Sequence, residues 1–164
     1  MRRAFNSIFA AVFVVAAVSQ IASAENPNDG SGGKSLTGAW FLNVAPTGIP
    51  PFVSLGTFGA DGTTTNISSV SMGAPGTTGL PESPGYGVWT RTGAHTYAVT
   101  FVTITGDGAG GFSGSQKVRA TLEVGPTGDA LSGPFQVDVF DATGHLIVSA
   151  TGTVSGTRIK VEPL

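Results

Sequence analysis

Apolar and polar residues alternate along much of this chain with a period of two. In 117–124, Val118, Ala120, Leu122 and Val124 fall on one face, and Lys117, Arg119, Thr121 and Glu123 on the other. Such alternation predicts a half-buried β-strand, because successive side chains point to opposite faces of a pleated backbone. The same reading gives nine candidate strands, at 38–45, 51–60, 63–70, 85–91, 95–105, 112–124, 134–141, 145–154 and 157–162. Between them stand Asp61-Gly62, Thr92-Gly93, the 106–111 glycine run, Thr127-Gly128-Asp129, Thr143-Gly144 and Ser155-Gly156. These residues suit tight turns. The longest connector, 71–85, carries Pro75, Pro81 and Pro84. No connector holds a helical period, so neighbouring strands must pair antiparallel. The expected fold is all-β: an antiparallel up-and-down meander closed into a barrel of about eight strands, with a two-sheet sandwich as the alternative. At that strand number the interior is either filled by side chains or holds one small ligand.

The first residues follow a different rule. Met1-Arg2-Arg3 is basic, 4–22 carries no charge, and Ala22-Ser23-Ala24 matches a small-x-small cleavage site. This predicts a signal peptide at 1–24 and a secreted or periplasmic product. Residues 25–35 (ENPNDGSGGKS) are polar and glycine-rich, which predicts a flexible leader. The single barrel domain is then 36–164, with no membrane segment after cleavage.

Composition narrows the function. The 164 residues include 8 Lys and Arg against 10 Asp and Glu, 25 Gly, 20 Thr and no Cys. So few basic residues argue against nucleic acid as a partner. Without Cys there are no disulfides, thiolate metal sites or thiol catalysis. His95 and His145 are the only histidines, so a three-histidine metal site is impossible. No metal and no organic cofactor is expected.

Gly38-Ala39-Trp40 opens the first candidate strand, and Arg158 lies on the last. This arrangement resembles the lipocalin and calycin barrels. The resemblance implies that Trp40 plugs one end of the barrel and that Arg158 packs against it. The run 35–40 (SLTGAW), with Ala60-Asp61-Gly62 after it, is also similar to the start of avidin-type barrels. The glycine- and threonine-rich texture of an eight-stranded meander resembles the allene oxide cyclase and dirigent-type barrels as well. That likeness implies a cavity that guides cyclisation by its shape.

Chemistry-bearing candidates are sparse. His95, Tyr97, Val99 and Phe101 share one strand face, while Ala98, Val102 and Ile104 form an equally apolar opposite face. If the first face points inward, His95 and Tyr97 line a cavity mouth as base and acid, with Arg91 nearby. Trp89, Tyr97, Phe101 and Phe58 are then the candidate ligand-binding residues. Asp138 and Asp141 stand near His145, but Asp141-Ala142-Thr143-Gly144 reads first as a capped turn. Three functions follow: a barrel binding a small apolar or aromatic molecule, a cofactor-free cyclase or isomerase, or a structural envelope protein without ligand. A homo-oligomer is compatible with each. If the leader is separate from the fold, deleting 25–34 leaves the melting temperature of the mature protein unchanged. A clear drop on thermal denaturation would overturn this boundary.

Overall fold

The computed structural model describes residues 35–71 and 81–164. The signal peptide, nearly all of the leader and part of the 71–85 connector lie outside the described residues. Eight strands run β1 (Gly38–Pro46), β2 (Phe52–Phe58), β3 (Thr63–Ser68), β4 (Gly85–Arg91), β5 (Thr96–Gly106), β6 (Phe112–Val124), β7 (Ala130–Asp141) and β8 (Leu146–Arg158). Each pairs antiparallel with the next, and β1 pairs with β8 to close the barrel. No helix occurs among the described residues.

Two differences from the pattern reading share one cause. Ser155-Gly156, read as a turn, lies inside β8, so the last two candidate strands are one. Gly156 marks a close approach: a Cβ there would sit 2.5 Å from Leu42 Cδ2. Likewise β7 starts at Ala130, four residues before the predicted 134. Gly133 and Pro134 look like punctuation, and their pairing with β6 does lapse, but it resumes in the same register at Phe135. Sequence cannot tell a glycine that turns the chain from one that admits a neighbour.

The open question of strand face is resolved on β5. Tyr97 and Val99 are buried, whereas Val102 and Ile104 are exposed on the outer wall. The odd-numbered residues of β5 therefore face the interior.

One end of the barrel is filled. Trp40 and Leu36 are fully buried, and Trp40 Nε1 donates to the Leu36 carbonyl at 2.8 Å. The Arg158 guanidinium lies over the Trp40 ring, 4.3 Å from its centroid, in cation–π geometry. Its Nε donates to the Gly128 carbonyl, Nη1 to Thr37 and Nη2 to Ser35. Ser35 thus already belongs to the fold, although the pattern placed it in the leader. Burial pulls the Arg158 pKa down from its ordinary value, opposed by the nearby charge of Asp129. It remains a cation, as guanidinium groups in proteins do. Gly38 is what admits it: the φ there is +129°, and a Cβ would stand 2.7 Å from Arg158 Nη1. Above Trp40 lie Trp89 and Tyr97, edge-to-face with centroids 5.6 Å apart, and Phe58, 6.4 Å from Trp89.

The tight turns carry their own polar fastenings. Asp61 Oδ1 accepts from the Thr63 hydroxyl and amide, and Asp141 Oδ1 from the Thr143 hydroxyl and amide and the His145 amide. Asp107 accepts the amides of Ala109 and Gly111. On the outer wall Asp138 accepts from the Ser149 hydroxyl, the Gln136 amide and Arg119. These donors favour the ionised form and hold all four carboxyls below the ordinary aspartate value.

Two predictions follow from this framework. Trp40→Ala, read by chemical denaturation, should cost about 3–5 kcal/mol, the usual loss for a buried aromatic truncated to Ala. An unchanged midpoint would remove Trp40 from its place as the plug. A carboxyl with a lowered folded pKa contributes stability that is present above its unfolded value and is lost as pH falls through the folded one. The melting temperature should therefore be level between about pH 5 and 7 and fall below about pH 4. Asp141→Asn should make that fall shallower, and a level profile down to about pH 2.5 would contradict the assignment.

Candidate functional site

Above the filled end the barrel is hollow. A cavity of about 720 Å³ occupies the other half of the interior. Its floor and waist are apolar: Leu42, Phe58, Val99, Phe101, Leu122 and Val154. The reason lies in strand phase. Each of these residues sits on the inward parity of its strand, and small neighbours such as Gly56 and Ala120 leave space that larger side chains would fill. The apolar wall continues upward through Val118, Phe135 and Val137, and the β1–β2 connection adds Ile49, Pro50 and Pro51 at the rim.

The rest of the wall is polar. Ser54 on β2 and Asn66 on β3 both face inward, and Asn66 Nδ2 donates to Ser54 Oγ at 2.8 Å. Ser54 in turn donates to the Ile67 carbonyl. Higher up, Ser68 and Ser71 are hydrogen-bonded at 2.9 Å, and the Ser71 hydroxyl donates to Glu82 Oε2 at 3.0 Å. Thr103 on β5 donates to Glu82 Oε1 at 2.6 Å. Gln116, the register partner of Thr103 on β6, also lines the cavity. The result is a polar arc from β2 round to β6, with Glu82 near its centre.

Glu82 is held where it is by backbone. Residues 81–84 run beside the end of β5. The Gly106 amide donates to the Pro81 carbonyl and the Ser83 amide to the Ile104 carbonyl, while Glu82 bridges to Thr105. The Ile104 amide donates to Ser83 Oγ. The carboxylate is thus carried by an extra piece of strand.

The candidates chosen from sequence divide by height. Phe58 and Phe101 line the cavity. Trp89 and Tyr97 are buried in the aromatic layer and are not among the lining residues. Trp89 Nε1 donates to the Gly59 carbonyl at 3.0 Å, which turns its polar edge away from the interior space. Arg91 is folded onto the β4–β5 turn, where it donates to the carbonyls of Gly93 and Ala94. His95 lies in that same turn, at the filled end, and its Nδ1 is buried without a hydrogen-bond partner. The three proposed catalytic side chains therefore sit at the end opposite the rim. His145 is exposed on the β7–β8 turn, with Thr143 Oγ1 2.9 Å from its Nδ1, and Asp141 caps that turn.

Compared with protein-family models, curated proteins and solved structures, the chain matches none. Its site is therefore read from its own geometry. Among the described residues, no three or more His, Asp or Glu side chains converge as a metal site, and no helix is long and apolar enough to cross a membrane.

Sequence reasoning missed the polar arc. Thr103 was within reach, since it continues the inward parity of Tyr97, Val99 and Phe101. Ser54 and Asn66 likewise lie on parities shared with Phe58 and Thr64. Glu82 carried no such signal, because it stands between two prolines outside any alternating stretch.

Proposed function

We propose that this protein is an exported, calycin-like barrel that binds a small, largely apolar molecule inside its cavity. The observation that carries the reading is the half-filled interior. An aromatic plug occupies one end, and an apolar space of about 720 Å³ lies above it. That is within the usual range of about 300–1,000 Å³ for small-molecule sites, and so is the mix of apolar lining with a few convergent polar groups. The Gly38–Trp40–Arg158 arrangement supports the calycin-like assignment, because the cation stacks on the plugging indole as the resemblance implies. The uncharged 4–22 segment and the Ala22-Ser23-Ala24 site support export.

The rival cyclase or isomerase reading needs an acid or base that reaches the substrate. His95, Tyr97 and Arg91 are poorly placed for this, being at or below the aromatic layer. Glu82 is better placed and gives that reading its support, as a candidate base at the mouth. The structural reading would suit an interior filled by side chains, which the space above Phe58 does not favour.

Titration of the mature 25–164 protein with N-phenyl-1-naphthylamine, a neutral apolar fluorophore, tests the proposal. Saturable binding is expected, and Ala120→Phe, which places a ring in the cavity, should weaken it about tenfold or more while the protein stays folded. Absence of saturable binding, or equal binding by the variant, would exclude the cavity as the site.

A further inference from the structure

The cavity wall has an electrostatic sign. Among the described lining residues Glu82 is the only one with an ionisable side chain, and no Lys, Arg or His accompanies it. None of the salt bridges among the described residues involves it. The part of the connector outside the described residues, 72–80 (MGAPGTTGL), contains no basic residue either. Both carboxylate oxygens accept hydroxyl hydrogen bonds, from Thr103 and Ser71, and hydroxyl donors leave the negative charge in place. A carboxylate offers about four acceptor positions, so two such bonds leave capacity for a ligand. The two hydroxyls and the extra strand at 81–84 fix the group before any ligand arrives, and this lowers the ordering cost of binding.

We propose that the cavity takes a cationic amphiphile, an apolar chain or ring system bearing a primary ammonium group, with the ammonium against Glu82 and the apolar part on the floor of Phe58, Phe101 and Leu122. This deepens the small-molecule reading above and rests on it. Three features argue for the ammonium over other polar ends. An ammonium supplies three donors and no acceptor. The arc around Glu82 offers acceptors to match: the carboxylate itself, the Ser68 and Ser71 hydroxyls and the Gln116 amide oxygen. A carboxylate ligand would meet Glu82 as a like charge, with no cation on the wall to offset it. Finally, Glu82 is half-buried at the rim and not at the floor. An ion pair there keeps much of its hydration and avoids the large desolvation cost of a fully buried pair.

Three probes of equal chain length test this: decylammonium, decanol and decanoate, each held below its critical micelle concentration. Each displaces N-phenyl-1-naphthylamine from the mature protein at pH 7 and low salt. In the wild type, decylammonium should bind about tenfold tighter than decanoate, the gain expected of a charge-assisted hydrogen bond over an uncompensated like charge. Glu82→Gln keeps the shape of the side chain and removes its charge. It should reduce that preference to about twofold or less while decanol affinity changes by less than about twofold. Glu82→Ala should act in the same direction, and the melting temperature of each variant reports whether the fold is intact. Equal binding of decanoate and decylammonium to the wild type would overturn the ammonium assignment and leave the binding cavity standing. So would a preference unchanged in both folded variants. If the fluorophore binds but none of the three probes displaces it, the cationic-amphiphile proposal fails alone. If the fluorophore itself fails to bind, the cavity reading fails with it.

Discussion

The fold depends on one latch, the stacking of Arg158 on Trp40 across the seam between the last strand and the first. Closure requires β1 and β8, 118 positions apart at Trp40 and Arg158 and 106 apart at Pro46 and Gly152, to meet in register. Backbone pairing alone would specify that seam weakly, because every strand offers the same donors and acceptors. The guanidinium removes the ambiguity. It covers the indole face and binds carbonyls of residues 35 and 37 and of the β6–β7 turn. Three separate stretches of chain are thereby tied to one planar cation, whose fixed fork of donors suits this role better than an ammonium would. In a chain without cysteine, this contact fastens the ends of the barrel by non-covalent means alone.

Everything above the latch follows from where volume is spent. The large rings, Trp40, Trp89, Tyr97 and Phe58, are gathered at one end of the inward face. Small residues such as Gly56, Ala120 and Ala150 occupy that face further up. An eight-stranded barrel has little interior to allocate. Concentrating the bulk at one end leaves the other end hollow with no change in strand number. The hollow is also two-sided: β2, β3 and β5 contribute hydroxyls and amides, while β1, β7 and β8 contribute aliphatic and aromatic carbon. A site with a dry floor and one polar wall can orient a guest as well as hold it.

The architecture was legible because its signal is repeated. Alternation over β6, glycine turns and the missing helical period each point to a closed meander. Gly38-x-Trp40 with Arg158 gave the latch from three residues. What sequence left open has a physical cause. Period two defines two faces without saying which is inside, so Tyr97 and Val102 looked equivalent until the barrel closed. Nor does it give height along the barrel axis. Tyr97 and Phe101 are one face and four residues apart, yet one lies in the plug and the other lines the cavity. Glu82 reaches the site through a short non-periodic segment pinned to β5, and tertiary hydrogen bonds of that kind leave no mark in a linear pattern.

The strands are of unequal length, and this shapes the molecule's outline. Strands β2 to β4 have six or seven residues, whereas β5 to β8 have eleven to thirteen. At about 3.3 Å per residue the longer strands stand well above the shorter ones. Among the described residues the β5–β6 and β7–β8 hairpins therefore form a tall parapet at the rim. The parapet carries exposed Ile104, Phe112, Leu146 and Ile147. None of these four lines the cavity, so the parapet gives the barrel a greasy outer collar beside its opening.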